Sequence, residues 1–406
     1  MPADYARRIS PAAATAISDA QFFHWIQSMA EHFDIAIIGG GIVGAALAHT
    51  VGNRRSVVLL EREEAWGYHS TGRSAAEFSL RFQSEGAGRL IRASAGFLQT
   101  PPDGFCDVPL IRPRGNLCIA QTEKAAHLTQ VFEAERNKSP PMARPLQLLT
   151  VADALALVPF LDPDWVAAAL YDPDCWDIEV ESLLQSYLKS ARRAGADLRR
   201  KAEVTGARME GSAWRLETTG DDLLATTVVN AAGGWADPVA LHFGVTPLGL
   251  VPHRRTAITV PVEGYDVSAM PEVNEIDEDF YFKPDAGRLL VSPADETPVA
   301  PHDAWPEELD IAQAAQYLSD CTKLEIHRIS HSWAGLRTFA PDRLPVIGAS
   351  KRVPGFFWLA GLGGFGIQSS PAVAALASSL LLETPIPAAL RQEGITAETF
   401  SPTRFE

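Results

Sequence analysis

After residue 32 the chain begins with apolar runs separated by a glycine turn. Residues 33–38 are apolar and β-branched, which predicts a buried strand, and residues 56–60 predict a second one. Between them, the glycines of 39–44 predict a turn, and residues 45–51 predict a helix packed on a sheet. Because both strands are apolar throughout, the pattern favours a parallel sheet covered on both faces.

Later segments predict more of this sheet together with a second kind of structure. Residues 180–194 predict a helix that ends at Gly195, and residues 224–230 predict another buried strand. Residues 248–260 and 280–292 predict longer strands joined by turns, which is typical of an antiparallel sheet.

One uncharged segment is long enough to span a bilayer. Residues 355–382 contain no charged side chain, but they are interrupted by Gly361, Gly363, Gly364, Gly366 and Pro371. The segment therefore predicts a buried strand, a glycine turn and a helix, and we expect no transmembrane segment.

These elements predict an α/β fold with an α+β second domain. A Rossmann-like dinucleotide-binding domain with a parallel sheet is interleaved with a substrate domain built on a mixed or antiparallel sheet. The polar, proline-containing residues 137–141 are a candidate crossing between the domains. The expected division is an N-terminal extension at 1–32, the dinucleotide domain at 33–85, 145–235 and 335–406, and the substrate domain at 86–144 and 236–334.

Composition restricts the function. Of the 406 residues, 46% are hydrophobic and 21% are charged, as in a soluble globular protein. The net charge of −15 argues against a nucleic-acid partner, because phosphate backbones bind basic surfaces. The four cysteines show no metal-binding spacing, and no signal-peptide core precedes residue 33. We therefore expect reduced thiols, no metal and a cytoplasmic protein.

The first motif with chemical meaning is a G-x-G-x-x-G turn between strand and helix, formed by Gly39, Gly41 and Gly44. Its glycines allow a tight turn, close approach of a pyrophosphate, and close packing of the helix. Glu61 follows at the end of the second strand, where a carboxylate binds ribose hydroxyls and would repel a 2′-phosphate. NADP is therefore disfavoured, while FAD and NAD both remain open at this point.

Further motifs resemble the D-amino-acid oxidase superfamily of flavoproteins, most closely the bacterial D-arginine and D-amino-acid dehydrogenases. The likeness runs from Phe33 almost to the C-terminus. It lies in the segments Gly39–Gly44, Gly67–Ala76, Val229–Trp235, Arg254–Arg255, Phe280–Gly287, Trp333–Arg337 and Gly363–Gln368.

The resemblance implies FAD as cofactor. The FAD-binding positions that it implies are Gly39, Gly41, Ile42, Val43, Gly44, Glu61, Arg62, His69, Ser70, Thr71, Arg73, Ser74, Ala75, Ala76, Val204, Ala231, Gly233, Trp235, Gly364, Gly366, Ile367 and Gln368. No cysteine stands between Trp333 and Pro345, where related enzymes with a tethered flavin carry theirs, so we expect non-covalent FAD.

The C-terminal glycines also have a physical reason to meet the flavin. Gly363, Gly364 and Gly366 open an uncharged helix, whose start presents bare N–H groups. Directed at the N1–C2=O edge of the flavin, they would stabilise the negative charge that develops on reduction.

A substrate carboxylate needs cationic and hydroxyl donors in a desolvated pocket. The resemblance places Arg255, Tyr281 and Arg337 in that role, and it gives the carbonyl of Gly363 to the substrate amine. Arg254 is expected to point away from the site, because adjacent strand residues face opposite sides.

The positions that contact the substrate side chain depart from the arginine enzyme. Its acidic residue is replaced by Asn116, and its pocket histidine and tyrosine fall at Glu77 and Phe82. The other expected pocket residues are Ser79, Glu272 and Asn274. Arginine preference therefore does not transfer. A D-amino acid with a polar or basic side chain is a hypothesis that rests on Glu77 and Glu272.

The expected reaction is hydride transfer from the substrate Cα to flavin N5, followed by hydrolysis of the imino acid to a 2-keto acid and ammonia. Within the same superfamily, a secondary amine such as sarcosine or a 2-hydroxy acid remains open as the substrate. A flavin-carrying subunit of a larger complex and an NAD-linked dehydrogenase are the alternatives from other classes. The electron acceptor (a quinone, a protein carrier or O2) and the oligomeric state stay open.

Overall fold

The computed structural model describes residues 30–82, 84–137 and 144–406. Its strands are β1 Glu31–Ile38, β2 Val57–Leu60, β3 Glu77–Ser79, β4 Ile111–Pro113, β5 Asn116–Ala120, β6 Gln147–Leu149, β7 Ala168–Asp172, β8 Cys175–Ile178, β9 Asp197–Arg199, β10 Val204–Glu210, β11 Ala213–Thr218, β12 Leu223–Asn230, β13 Val251–Pro261, β14 Glu272–Glu275, β15 Tyr281–Asp285, β16 Arg288–Ser292, β17 Thr297–Pro298, β18 His331–Phe339, β19 Val346–Ala349, β20 Phe356–Ala360 and β21 Leu362–Gly363.

The α-helices are α1 Ile42–Val51, α2 Glu85–Gln99, α3 Ala125–Arg136, α4 Val151–Leu157, α5 Val180–Arg193, α6 Ala236–His242, α7 Glu308–Cys321, α8 Gly366–Leu381 and α9 Ala388–Gln392. Short 3-10 helices cover Thr122–Lys124, Gly233–Trp235 and Pro402–Arg404.

One sheet, here called the nucleotide sheet, has the order β10-β11-β12-β1-β2-β9, with β20 and β19 attached to β12. The pairs β12–β1, β1–β2, β2–β9 and β12–β20 are parallel. Ile35 and Ile37 face a core shared with α1, α5 and α8, while Ala36 and Ile38 face a second core that includes α6. The pairs β10–β11, β11–β12 and β19–β20 are antiparallel. The central strands therefore confirm the predicted parallel sheet covered on both faces, and antiparallel strands extend it.

A second sheet, here called the large sheet, has the order β21-β18-β13-β16-β15-β14-β5-β7-β6, and β17 pairs with β13. It is mostly antiparallel, with one parallel pair, β14–β5. Ile258, Phe282 and Val291 on one face pack against Ala314 and Leu318 of α7. The other face points toward the nucleotide sheet, and a small cover sheet, β3-β8-β4, lies beside it. The mixed α/β fold is confirmed.

Most predicted elements differ from the structure only at their ends. The first strand starts at Glu31, inside the segment assigned to the N-terminal extension, and the helix of 45–51 already starts at Ile42. The stretch 280–292 is a hairpin of β15 and β16, which turns at Ala286 and Gly287 with positive φ angles of 48° and 78°. The uncharged segment 355–382 forms β20, a turn and α8, as predicted.

The proposed domain boundaries stay a prediction, but two segments pack differently from that division. Helix α2 packs on α8 and so contacts the nucleotide half, although it lies in 86–144. Strands β6 and β7 pair within the large sheet, although they lie in 145–235. Part of the predicted crossing at 137–141, residues 138–141, lies outside the described residues, as do residues 1–29.

Candidate active site

A deep cavity lies between the nucleotide sheet and the large sheet. The ends of β1, β2, β12 and β20 line one side, which is where parallel sheets usually bind ligands. Residues of β13, β15 and β18 line the other side. The structure thus brings together Gly39 and Gly41 from one end of the chain with Gly363, Gly364 and Gly366 from the other.

The first glycine turn has the geometry that its sequence predicts. Gly39 has a φ of +113°, and a Cβ there would lie 2.3 Å from the carbonyl oxygen of Ala231. A Cβ on Gly44 would lie 2.0 Å from the carbonyl oxygen of Gly39, so this glycine lets α1 pack closely. A Cβ on Gly41 would meet only the Thr71 hydroxyl, at 3.5 Å, so the cavity side of Gly41 is open.

Helix α1 begins without a side-chain cap. Gly41 is the N-cap residue, and the Ile42 N–H donates to the Thr71 hydroxyl at 3.1 Å. Among the described residues, no group accepts a hydrogen bond from the N–H of Gly41 or Val43. Bare N–H groups and the positive end of the helix dipole favour an anion such as a pyrophosphate at this position.

Glu61 lies at the end of β2 and is buried. Its carboxylate accepts hydrogen bonds from the backbone N–H groups of Gly40 at 2.8 Å and Glu63 at 2.9 Å. Burial raises the pKa of Glu61, although these two bonds oppose the rise. Each oxygen retains a lone pair, so the carboxylate can still accept from ribose hydroxyls.

The segment after β2 is fixed against the large sheet. The Ser70 hydroxyl donates to the Leu336 carbonyl at 2.6 Å, and Arg73 donates to the carbonyls of Ala304 at 2.9 Å and Ala334 at 3.1 Å. Arg73 also pairs with Asp303. The residues of this segment that line the cavity are Gly67, Tyr68, His69, Ser70, Thr71, Arg73, Ser74 and Ala75.

Three side chains stack at the rim of the β2 side of the cavity. The guanidinium of Arg62 lies 3.9 Å from the ring centre of Trp235, and the ring of His69 lies 4.4 Å from it. Burial lowers the pKa of His69, so its neutral form is favoured, and its buried Nδ1 has no partner among the described residues.

Helix α8 supplies the second bare helix start. Phe365 is its N-cap residue without a side-chain bond, and no described residue accepts from the N–H of Gly366 or Ile367. Gly363 has a φ of +53°, and a Cβ there would lie 2.2 Å from the Phe339 ring. Glycine is therefore required at position 363 for the chain to turn into this helix.

Three residues predicted to bind the cofactor do not line the cavity: Gly44, Ala76 and Gln368. Gly44 serves helix packing, as described above. The carbonyl of Ala76 accepts from the Ile178 N–H at 3.3 Å. Gln368 is turned away by the helical rotation after Ile367, and its Oε1 accepts from the Ser79 N–H at 3.2 Å.

Arg255, Tyr281 and Arg337 line the large-sheet side of the cavity, as Gly363 does nearby. Gly335 faces Arg255 and His253 faces Arg337 across the β13–β18 pair, so both arginines share one face of the sheet. Burial lowers the pKa of Arg255, and the charge of Arg337 lowers it further. The side chain of Arg337 makes no hydrogen bond or ion pair with any described residue, and the Tyr281 hydroxyl makes no hydrogen bond with one either.

Arg254 faces the opposite side of the sheet from Arg255, as predicted. It does not reach solvent, however, because α7 covers that face. Arg254 pairs there with Glu307 and with Asp310 at 2.9 Å. It is a buried structural cation rather than a surface residue.

The residues predicted to contact the substrate side chain (Glu77, Ser79, Phe82, Asn116, Glu272 and Asn274) do not line this cavity. Asn274 is paired with Tyr281, and Glu272 with Asn116, so these side chains share the sheet face that carries Tyr281. They extend that face beyond the cavity, toward the cover sheet. Asn116, Glu272 and Asn274 thus share a sheet face with Tyr281, but the strand order separates them from the arginine pair.

Glu77 and Glu272 form a carboxyl pair that is directed at other protein groups. Burial raises the pKa of Glu272 well above its ordinary value, and the neighbouring charge of Glu77 raises it further. Lys283 lies 3.9 Å from Glu272 and 2.6 Å from Asp177. The Cys175 thiol donates to Glu77 at 3.5 Å.

Glu77, Cys175 and Glu272 bring their ligand-type atoms within 4.8 Å of one another. The ammonium of Lys283 supplies positive charge at this position, so we assign no metal here. Ser79 instead bonds to the backbone of Arg81, and Phe82 packs in an apolar cluster with Leu128, Leu146 and Leu170.

Several cavity residues were not expected from the sequence. Pro238, Val239 and His242 of α6 line it, as do Ala202 and Glu203, which precede the predicted Val204. The α6 residues directly follow Gly233 and Trp235. Extending the N-A-A-G-G-W motif by two helical turns would have found them.

None of the four cysteines, all of which lie in the described residues, lines the cavity. The cavity therefore offers no thiol for a covalent bond to a flavin. Across the described part of the chain, no helix has the length and apolar character that a membrane crossing requires.

These residues fit an extended dinucleotide. The start of α1 would hold its pyrophosphate, Glu61 its ribose, and the start of α8 the polar edge of a ring system. Gly41 leaves space for close approach, since only the Thr71 hydroxyl lies near its missing side chain.

The chain matches the DAO family, described as FAD dependent oxidoreductase, over residues 34–380. It is 28% identical to glycine oxidase of Geobacillus kaustophilus over 87% of this chain and 94% of that enzyme. It is 25% identical to mitochondrial dimethylglycine dehydrogenase of Homo sapiens over 86% of this chain, which spans only 42% of that protein.

The crystal structure of the Geobacillus kaustophilus glycine oxidase has the same fold, with a TM-score of 0.77 and 25% identity. The match covers 92% of this chain and 99% of that one. The family match spans most of the sequence and both glycine-rich helix starts. The chain therefore belongs to the DAO family of FAD-dependent oxidoreductases, and its cofactor is FAD, bound non-covalently.

Proposed function

We propose that this enzyme oxidises the Cα–N bond of a small amino acid or N-substituted amino acid. The observation that carries the proposal is the pair Arg255 and Arg337 with Tyr281 at the cavity wall. The Arg337 side chain and the Tyr281 hydroxyl have no hydrogen-bond partner among the described residues, so both are available for a carboxylate. An α-carboxylate would separate the two positive charges and satisfy their N–H groups.

Binding of that carboxylate would position the rest of the substrate. Arg337 and Arg255 hold the carboxylate, Tyr281 donates a third hydrogen bond, and the Gly363 carbonyl accepts from the amine. FAD supplies the acceptor for the hydride that leaves the substrate Cα. The bare N–H groups of Gly366 and Ile367 would stabilise the negative charge that develops.

No side chain is required as a general base, because the amine reacts in its neutral form. The rate would come from orientation of the substrate and from stabilisation of the reduced flavin. The imino product of a primary amine hydrolyses in water to a 2-keto acid and ammonia.

We propose a D-amino acid or a glycine-type amine as the substrate. The D configuration rests on the resemblance to D-amino-acid dehydrogenases. The glycine and sarcosine type is supported by glycine oxidase and dimethylglycine dehydrogenase as relatives. The substrate-side-chain roles of Glu77, Ser79, Phe82, Asn116, Glu272 and Asn274, the cytoplasmic location and the electron acceptor stay predictions.

Steady-state assay of the FAD-loaded enzyme with an artificial electron acceptor tests the proposal. The panel contains glycine, sarcosine, D- and L-amino acids, glycolate and D-lactate. We expect turnover with amines that carry an α-carboxylate. Turnover of the hydroxy acids alone would reassign the enzyme, and a flavin that no small molecule reduces would favour the subunit of a larger complex.

A further inference from the structure

Arg255 is not free in the way that Arg337 is. Its Nε donates to the backbone carbonyl of Asp295 at 2.7 Å, and its Nη2 lies 3.3 Å from Oε1 of Glu296. One edge of the Arg255 guanidinium therefore already has a backbone partner and a negatively charged partner. The backbone bond fixes its orientation, and Glu296 adds charge.

Glu296 has a second cation on its other side. Nη2 of Arg343 donates to both carboxylate oxygens of Glu296, at 2.9 and 3.2 Å. The Glu296 side chain is 35% exposed and that of Arg343 is 54% exposed, whereas that of Arg255 is only 13% exposed. Glu296 thus lies between the buried arginine of the site and an arginine at the surface, with its shorter contact to the surface arginine.

The charges around Arg255 give the Glu296 carboxylate a role in the site. Without a ligand, Arg255 and Arg337 repel each other on the same face of the large sheet, and Glu296 offsets part of that repulsion. When a substrate carboxylate enters, Glu296 becomes its like-charged neighbour. Arg343 then compensates for the negative charge of Glu296, so the positive charge of Arg255 remains available to attract the ligand.

We propose that Glu296 is a specificity-determining residue that makes the site prefer zwitterionic amino acids over ligands that carry only negative charge. Glu296 weakens the binding of a simple anion, because its charge repels the anion and offsets part of the attraction of the arginines. A zwitterion, the form in which an amino acid enters before its amine loses a proton to water, brings an ammonium group that compensates for this repulsion. The inference rests on the proposed function in one respect, because it requires the arginine pair to receive a carboxylate.

Binding of unreactive probes to the FAD-loaded enzyme tests this proposal. Acetate, malonate and trimethylglycine serve as a monoanion, a dianion and a zwitterion. None of them has an amine lone pair that could support hydride loss, so all three bind without reacting. The change in flavin absorbance gives Kd at constant ionic strength. We expect Glu296→Gln to lower the Kd of acetate by roughly three- to tenfold and that of malonate by more. The Kd of trimethylglycine should change less.

Arg343→Gln should change the Kd of acetate in the opposite direction. Without Arg343, Glu296 is balanced by Arg255 alone, so acetate should bind more weakly, and Arg343→Lys should restore most of the affinity. The double variant Glu296→Gln/Arg343→Gln should bind acetate as tightly as Glu296→Gln does. If the effect of Arg343→Gln disappears once Glu296 is neutral, Arg343 acts through the charge of Glu296 and not through its own packing.

The matched control is Glu210→Gln. Glu210 is an exposed glutamate that pairs with Arg215 at the outer edge of the nucleotide sheet, so it loses the same charge away from the site. We expect it to leave all three Kd values unchanged. Flavin content and melting temperature verify that each variant is folded.

Weaker acetate binding in Glu296→Gln, or equal changes for all three probes, would overturn the role of Glu296 while leaving the carboxylate site intact. If acetate and malonate failed to perturb the flavin of the wild-type enzyme, the carboxylate site and this inference would both be wrong.

Discussion

The guanidinium of Arg337 lies against the backbone of Gly364. A Cβ at position 364 would stand 3.2 Å from both Cζ and Nη1 of Arg337. The glycine predicted to serve the cofactor therefore also limits where Arg337, the arginine proposed to bind the substrate, can lie. The two halves of the site are in contact at this point.

Gly364→Ala should displace Arg337 without unfolding the protein, because no positive φ is required at this glycine. We expect KM for the amino acid to rise by roughly three- to tenfold, with a smaller change in kcat, since the flavin still binds. Gly96→Ala, in α2 with no atom within 4 Å of the added Cβ, is the control. Unchanged KM together with loss of flavin would show that Gly364 serves only the cofactor.

Gly41→Val should give a folded protein that lacks flavin. The cavity side of Gly41 is open, so a side chain fits there but occupies the space that the pyrophosphate needs. The ratio of absorbance at 450 and 280 nm should fall to near zero, while circular dichroism stays native. Full flavin content in this variant would mean that the pyrophosphate lies elsewhere.

Arg337→Gln should weaken transition-state binding of the substrate. A charge-assisted hydrogen bond to a carboxylate is worth about 1.5–3 kcal/mol, so kcat/KM should fall by about 10- to 150-fold. Arg254→Gln removes an arginine from the same strand pair but on the α7 side, and it should change stability rather than KM. A rise in KM without loss of stability in Arg254→Gln would contradict the assignment of Arg254 and Arg255 to opposite faces of the sheet.

The carboxyl pair of Glu77 and Glu272 should make stability depend on pH. Because burial raises the folded-state pKa of Glu272 above its unfolded value of 4.5, folding favours the protonated form. The free energy of unfolding therefore falls as pH rises above about 4.5 toward the folded pKa. The pKa of Lys283 is raised, so its contribution is lost only at pH values above its ordinary 10.5.

Glu272→Gln keeps the shape of the neutral carboxyl and removes this titration. Its melting temperature should match the wild type near pH 5 and exceed it by about 2 °C or more near pH 9. Glu210→Gln, at an exposed site, should follow the wild-type curve. A variant that is destabilised equally at both pH values would indicate that Glu272 is ionised in the folded protein.

Local patterns were enough to predict the nucleotide half. Gly39, Gly44 and Glu61 lie where spacing along one strand-turn-helix unit places them, because such a unit fixes its own geometry. Arg254 and Arg255 could be assigned to opposite faces from strand alternation alone. What alternation could not show was α7 covering Arg254, since that contact joins residues more than fifty positions apart.

The residues predicted to contact the substrate side chain show what the sequence could not predict. Asn116 and Glu272 were assigned to substrate contact, and they do lie on the sheet face of Tyr281. Their distance from Arg255 depends on β16, β15 and β14 lying between β13 and β5, an order that no local motif encodes. The role of Glu296 likewise depends on a loop after β16 returning to β13.

The central claim is that two bare helix starts bind one flavin, α1 at its phosphates and α8 at its ring. A crystal structure of the FAD-loaded enzyme tests this most directly. The claim predicts that the N–H groups of Gly366 or Ile367 lie within hydrogen-bonding distance of the flavin N1–C2=O edge, and those of Gly41 or Val43 within that distance of the pyrophosphate. An isoalloxazine ring that lies away from residues 363–367 would contradict it.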